Sequence, residues 1–118
     1  MSDLRTTSDL LPSARKEGDA VIVAVRGEID LQNSPELRTE LLDIMAKHTP
    51  QRVVINLDQV PYMDSSAIAV LVELLQKVRK TGGKIFLTNL QPRVKGLLEI
   101  ARLGSIFSIV NDEAEALK

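Results

Sequence analysis

The sequence predicts a single α/β domain, a central mixed β-sheet with helices packed on it, in the order β-β-α-β-α-β-α-β-α. Three observations carry that prediction. Short apolar, β-branched runs such as Ala20-Val21-Ile22-Val23-Ala24-Val25 and Val53-Val54-Ile55 alternate with longer stretches whose apolar residues recur every three or four positions. Caps, prolines and glycines punctuate the boundaries between them. The chain has 118 residues, enough for one core without covalent staples, and it has no cysteine. Strands alternating with amphipathic helices imply that the later strands are largely parallel and joined by right-handed crossovers.

Residues 1–11 are rich in Ser, Thr and Asp and read as a flexible N-terminal segment or a weak edge strand, which leaves 12–118 as the domain. Ser13 to Lys16 is a short first strand, with Glu17-Gly18-Asp19 as a hairpin turn. Ala20 to Val25 follows as a central strand covered on both faces. Asn33-Ser34-Pro35-Glu36 is a helix start: Ser34 can cap, Pro35 suits the first position and Glu36 meets the positive dipole end. Leu37, Leu41, Ile44 and Met45 then share one helical face, and Thr49-Pro50 ends it. Arg52 to Leu57 is the next strand.

A longer helix runs from about Ser65 to Lys80. Its apolar face holds Ile68, Leu71, Val72, Leu75 and Val78, widened by Val70 and Leu74, so it should be more buried than the first. Thr81-Gly82-Gly83 closes it, with glycine in the left-handed cap. Lys84 to Thr88 is a strand. Pro92 opens a third helix with Val94, Leu97, Leu98 and Ala101 as its stripe, and Gly104 as its stop. Phe107 to Val110 is a last short strand, and Asp112 caps a terminal helix, Glu113 to Lys118. No internal repeat, low-complexity tract or interdomain linker interrupts this order.

Composition narrows the function. Formal net charge is −1 with acids and bases dispersed, so the chain lacks the basic footprint of a nucleic-acid binder. Two Phe, one Tyr and no Trp make no stacking platform for bases. No apolar run approaches the roughly 20 residues that span a bilayer, so no direct membrane insertion is expected. A polar start, Met1-Ser2-Asp3-Leu4-Arg5, lacks a signal-peptide apolar stretch. These features together predict a soluble, cytoplasmic domain.

Enzyme chemistry finds little support. Ser65 and Ser66 follow a strand and open a helix, as a hydrolase nucleophile does, but the flanking glycines of the nucleophile elbow are absent. The one histidine, His48, falls near the end of the first helix, where a triad base would have to reach the far end of a strand. It reads instead as a residue favourably placed at a helix C-terminus. Lys80-Thr81-Gly82-Gly83-Lys84 lacks the spacing of a phosphate loop and sits between a helix and a strand, the reverse of the required order. Asp30, Asp58 and Asp64 could at most offer oxygen ligands to a hard cation, at a spacing that matches no calcium loop. The prediction is therefore no catalytic residue, no metal and no cofactor.

What remains is Asp64-Ser65-Ser66, at the junction of a strand and a helix. Asp64 or Ser65 can serve simply as an N-cap. The same junction also suits an anion, because helix-start N–H groups are unpaired and the dipole is positive there. A phosphate on Ser65 would change local charge by about −1.5 to −2 at neutral pH.

Several stretches in order resemble one family. Gly27-Glu28-Ile29-Asp30-Leu31 followed by Ser34-Pro35-Glu36-Leu37 is similar to the early signature of the STAS family, which includes the bacterial anti-sigma factor antagonists. Val54-Ile55-Asn56-Leu57 through Met63-Asp64-Ser65-Ser66 resembles its central signature. Thr81-Gly82-Gly83, Leu90-Gln91-Pro92-Arg93-Val94 and Leu103-Gly104 continue the resemblance from about Arg15 to the C-terminus.

The resemblance implies a partner switch. The unphosphorylated antagonist binds an anti-sigma factor that is also a serine-protein kinase, and so frees the sigma factor. The kinase then uses ATP to phosphorylate the first hydroxyl residue after the Asp, here Ser65, with Ser66 as a secondary acceptor. Phosphorylation releases the antagonist, and a PP2C-type serine phosphatase resets it. A family-like docking face would combine Asp30, Leu31, Gln32 and Asn33 with Tyr62, Met63 and Asp64, and with Ser66 and Ala67 in the first turn after Ser65. Tyr62 and Met63 would anchor it, unless Met63 is core and Tyr62 half-buried. The family commonly has glycine where Ala67 and Ala69 stand. The alternative implied by the same resemblance is a non-sigma adaptor or scaffold subunit in a lipid-transport, secretion or stress-signalling complex. A third reading, a small-molecule domain, would use the crevice beyond the strand C-termini.

Overall fold

A computed structural model of the chain describes residues 2–4 and 8–118. The strands are β1 (Ser2–Asp3), β2 (Ser13–Glu17), β3 (Ala20–Arg26), β4 (Arg52–Gln59), β5 (Lys84–Thr88) and β6 (Ser108–Val110). The helices are α1 (Ser34–His48), α2 (Ser65–Lys80), α3 (Pro92–Ile100) and α4 (Glu113–Ala116). The strands form one sheet in the order β1-β2-β3-β4-β5-β6. β1, β2 and β3 are antiparallel neighbours, while β3 to β6 run parallel. The mixed α/β architecture read from the sequence is the one observed, with the two-residue β1 added at the edge.

Alternation along the strands sorts side chains into two layers. Val21, Val23 and Val25 of β3, Val53, Ile55 and Leu57 of β4, and Ile85 and Leu87 of β5 pack with α1, α2 and α3 in the main core. Ala20 and Ile22 of β3 and Val54 of β4 turn to the other face, where Ala116 of α4 covers them. This is why the interior strands read as continuous apolar runs. On the α4 face, Glu113 accepts hydrogen bonds from Arg15 at 2.7 Å and Asn56 at 2.7 Å, which joins β2, β4 and α4.

Several boundaries differ from the sequence reading, each for a local reason. Leu10 and Leu11, in the segment expected to be flexible, are buried in the main core, and Arg26 N–H donates to the Leu10 carbonyl. Part of the N-terminal segment, residues 1 and 5–7, lies outside the described residues. Asn33, not Ser34, is the N-cap of α1, and Ser34 is buried. The buried face of α2 is Ala67, Val70, Leu71, Leu74, Leu75 and Val78, whereas Ile68 and Val72 are only half-buried. α3 stops before Gly104. Arg102 takes the left-handed conformation at φ 59°, and Leu103 N–H returns to the Leu98 carbonyl at 2.9 Å. Ala101 is consequently the C-cap and exposed. Phe107 is buried but precedes β6, and α4 ends at Ala116.

Gly83 shows how closely α2 returns to the sheet. A Cβ there would lie 2.8 Å from Val78 Cγ1 and 3.0 Å from the Gln51 carbonyl oxygen. The second glycine of the Thr81-Gly82-Gly83 stop is thus a packing requirement, while Gly82 at φ 77° supplies the turn.

Candidate functional site

Two loops leave the C-terminal ends of β3 and β4 and are tied together before either helix begins. Gly27, at φ 95°, turns the chain out of β3, and its N–H donates to the Gln59 carbonyl at 2.9 Å. Ile29 and Met63 then form an isolated parallel bridge. Ile29 N–H donates to the Tyr62 carbonyl at 3.0 Å, and Asp64 N–H donates to the Ile29 carbonyl at 3.1 Å. Ile29 and Met63 are both buried, so the bridge is anchored by the core. This clasp fixes where α2 starts.

The first loop is held by its own polar residues. Asp30 N–H donates to Asn33 Oδ1 at 2.8 Å, Gln32 N–H donates to Asp30 Oδ1 at 2.9 Å, and Asn33 Nδ2 donates to the Glu28 carbonyl at 2.9 Å. Asn33 spends its side chain on the loop and makes no side-chain cap bond to α1. The result presents Leu31 to solvent, 75% exposed.

Asp64 is the N-cap of α2. Its Oδ1 accepts from Ser66 N–H at 2.9 Å, from Ala67 N–H at 3.4 Å, and from the Ser66 hydroxyl. The Ser66 hydroxyl foremost, with the backbone N–H groups of Ser66, Ala67 and Leu31, holds the Asp64 carboxyl below the ordinary carboxylate range against a smaller desolvation effect. The two adjacent serines therefore differ. Ser66 is half-buried with its hydroxyl engaged; Ser65 is exposed, and its hydroxyl has no partner among the described residues. Of the two cap alternatives, Asp64 is the one used, which leaves Ser65 unencumbered.

The residues expected on a docking face separate into those that are presented and those that are not. Leu31 and Gln32 are exposed, and Asp30, Tyr62 and Asp64 on the same two loops and Ser66 in the first turn of α2 are half-buried. Met63 is 3% exposed and Ala67 is 0% exposed, both in the main core, so neither side chain can meet a partner in this conformation. Their backbone places them at the site, but alternation sends the Met63 side chain under it and the helix face sends Ala67 inward. Ala69 is exposed one position beyond Ile68. The methyl that distinguishes Ala67 from glycine faces the core, not the surface around Ser65.

Gln91 and Arg93, which the sequence placed in a family-like stretch but not at the site, lie beside it. Gln91 Nε2 donates to the Asp58 carbonyl at 2.7 Å and ties the start of α3 to the end of β4. Arg93, two residues on, places its guanidinium 4.9 Å from the centre of the Tyr62 ring. Ile100, at the far end of α3, is 83% exposed. A shallow groove runs between α3 and the start of α2, with Tyr62, Asp64, Ser65, Arg93 and Ile100 in its walls. The exposed stripe of α3 has a sequence signal in the position of Ile100 off the Val94–Leu98 face; the Arg93–Tyr62 contact has none.

His48 and the Lys80–Lys84 segment both lie at the opposite end of the helices from Ser65, in the last turn of α1 and after α2. Among the described residues, no group of three or more His, Asp or Glu side chains converges as a metal site would require. No helix of the described residues is long and apolar enough to cross a membrane.

The fold and the site thus define an α/β domain with an exposed serine at the strand-to-helix junction, near a loop that presents Leu31 to solvent. Residues 12–116 match the model of the STAS domain, and the chain belongs to that family. It is 36% identical over 87 residues to the anti-sigma-B factor antagonist of Bacillus subtilis, covering 74% of this chain and 78% of that one. It is 31% identical over 100 residues to the anti-sigma-B factor antagonist of Listeria monocytogenes, covering 85% and 87%. The crystal structure of an anti-sigma factor antagonist from Mycobacterium paratuberculosis superposes with a TM-score of 0.80 at 23% identity, covering 88% of this chain and 87% of that one.

Proposed function

We propose that this chain is an anti-sigma factor antagonist, a regulatory binding protein and not an enzyme, switched by phosphorylation of Ser65. In this reading the unphosphorylated form docks on an anti-sigma factor that is also a serine-protein kinase and displaces the sigma factor. The kinase transfers the γ-phosphoryl group of ATP to Ser65 Oγ. An oxygen–phosphorus bond forms, ADP leaves, and the hydroxyl proton passes to the kinase. A PP2C-type phosphatase restores the hydroxyl by hydrolysis and releases inorganic phosphate. The cycle belongs in the cytoplasm, where ATP and the sigma factor are found.

The observation that carries this reading is the unequal engagement of the two serines. Ser65 is exposed with a free hydroxyl at the first position of α2, while the Ser66 hydroxyl is bound to Asp64. That asymmetry favours Ser65 as acceptor in a chain whose relatives are named for antagonism of anti-sigma factors. The flanking residues suit a docking face: Leu31 supplies an exposed apolar anchor, and Asp30, Gln32, Tyr62, Asp64 and Ser66 surround it. A dianion at its centre would disrupt such an interface by desolvation cost and like-charge repulsion.

Peptide-resolved mass spectrometry of the protein from its own cells, with phosphatases inhibited during lysis, tests the switch. The expected result is phosphate on Ser65 in a condition-dependent fraction, with Ser65→Asp failing to capture the kinase that Ser65→Ala retains. Absence of phosphate on Ser65 across growth and stress conditions, with a stoichiometric complex indifferent to ATP, would replace the switch with a constitutive adaptor.

A further inference from the structure

We propose that Arg93 is the internal receptor for the phosphate on Ser65, and that it leaves the Tyr62 ring to take up that role. The inference rests on reading Ser65 as the phosphate acceptor. It goes beyond that reading by naming a residue of another helix that answers the modification.

Arg93 and Ser65 line the same groove, and Asp64 and Arg93 are the charged side chains in its walls. Among the described residues Arg93 forms no ion pair and no hydrogen bond. Its one directed contact is the Tyr62 ring, 4.9 Å from the guanidinium. Elsewhere Arg38 is bound in a fork to Glu73 at 2.7 Å, and Arg26 contacts Asp9 at 3.8 Å. Arg93 is therefore a positive charge without an ion-pair partner among the described residues, in the wall of the groove that Ser65 also lines.

Before phosphorylation, the groove holds one negative group, the Asp64 carboxylate, whose Oδ1 is occupied by the start of α2. A phosphate on Ser65 adds a dianion beside it. Repulsion from Asp64 drives the phosphate away from the cap, and Arg93 lies on the other wall. A guanidinium binds phosphate with two parallel charge-assisted hydrogen bonds, a stronger contact than a partly solvated cation–π pair. The phosphate should therefore win the competition for Arg93. Tyr62 then loses its cover on the same loop that carries the docking residues. Phosphorylation would change the shape of the docking face as well as its charge, without unfolding either helix.

Phosphoserine installed at position 65 by genetic encoding makes the test independent of any kinase. The titration of the phosphate is followed by phosphorus NMR in otherwise wild-type protein, in Arg93→Gln and in Arg93→Lys. Arg93 should favour the dianion, so Arg93→Gln is expected to raise the second phosphate pKa by about 0.5 unit or more, and Arg93→Lys to restore part of the difference. Contacts between the Arg93 side chain and the Tyr62 ring should be present in the unmodified chain and lost in the phosphorylated one; Tyr62 is the only tyrosine, so its ring signals are unambiguous. Matching melting curves of the unmodified variants establish that all are folded. A phosphate titration that is the same in wild type and Arg93→Gln overturns the proposal. Failure to find Ser65 phosphorylated in cells would instead remove the switch and leave this titration result standing.

Discussion

At the residue scale, Asp64 decides how the two serines are used. One carboxylate oxygen closes the first turn of α2 and binds the Ser66 hydroxyl, which leaves Ser65 alone in solvent. Because the carboxyl is held below its ordinary value in the folded chain, the folded state binds fewer protons than the unfolded state at mildly acidic pH. The resulting stabilisation is fully present above the ordinary carboxylate pKa and is lost as pH falls through the lowered one. Ser66→Ala removes the largest of the interactions responsible, so the Asp64 pKa should rise in that variant and stay unchanged in Ser65→Ala. Carbon-detected NMR titration of the Asp64 side chain reads this directly. Equal shifts in both variants would contradict the partition of the two hydroxyls. The string Asp-Ser-Ser was legible in sequence as a helix start, but which serine is tied and which is free depends on side-chain geometry that spacing does not encode.

At the scale of elements, periodicity located both long helices, although Ile68 and Val72 of the face expected for α2 are only half-buried. The apolar stripe of α1 is buried at all four expected positions, Leu37, Leu41, Ile44 and Met45. Short elements were harder to bound. The end of α3 was expected at Gly104, yet the chain turns at Arg102, where φ is 59°. Arg102 N–H donates to the Glu99 carbonyl at 3.0 Å and Leu103 N–H to that of Leu98 at 2.9 Å, the paired bonds of a Schellman cap. Burial of Leu98 and partial burial of Leu103 place the cap there, and this overrides the preference of an L-residue for negative φ. Replacing Arg102 by glycine should relieve that penalty of about 1–2 kcal/mol at a smaller cost in chain entropy, for a net gain of a few tenths to about 1 kcal/mol. Urea denaturation at equilibrium measures it, and a loss of stability in Arg102→Gly would mean that the arginine side chain contributes more than its backbone costs.

At the scale of the whole molecule, the site sits on a rigid base. The parallel bridge between Ile29 and Met63 extends the β3–β4 pairing beyond the sheet, and both residues are buried. Modification of an exposed serine on such a base should leave the fold intact. Ser65→Asp places a negative charge at the positive end of α2, so its unfolding free energy should stay within about 0.5 kcal/mol of wild type. Loss of partner binding with an unchanged denaturation curve would locate the switch at the interface. A collapse of stability in Ser65→Asp would show that the start of α2 does not tolerate the charge.

The order of strands and helices, the junction that carries Ser65 and the family itself were determined by local sequence. Hydrophobic period, caps and glycine positions act within a few residues of where they are read. The tertiary structure alone decided which groups face outward. Met63 was read as an anchor or, alternatively, as core beneath a half-buried Tyr62, and the second arrangement is the one found, while Ile100 was not singled out and is exposed. Arg93 meets Tyr62 across a separation of about thirty residues, where core packing of Val94 and Leu98 and the Gln91 bond to the Asp58 carbonyl place α3 beside the end of β4. Such contacts depend on the relative placement of two packed elements, and no periodicity within either element specifies that placement.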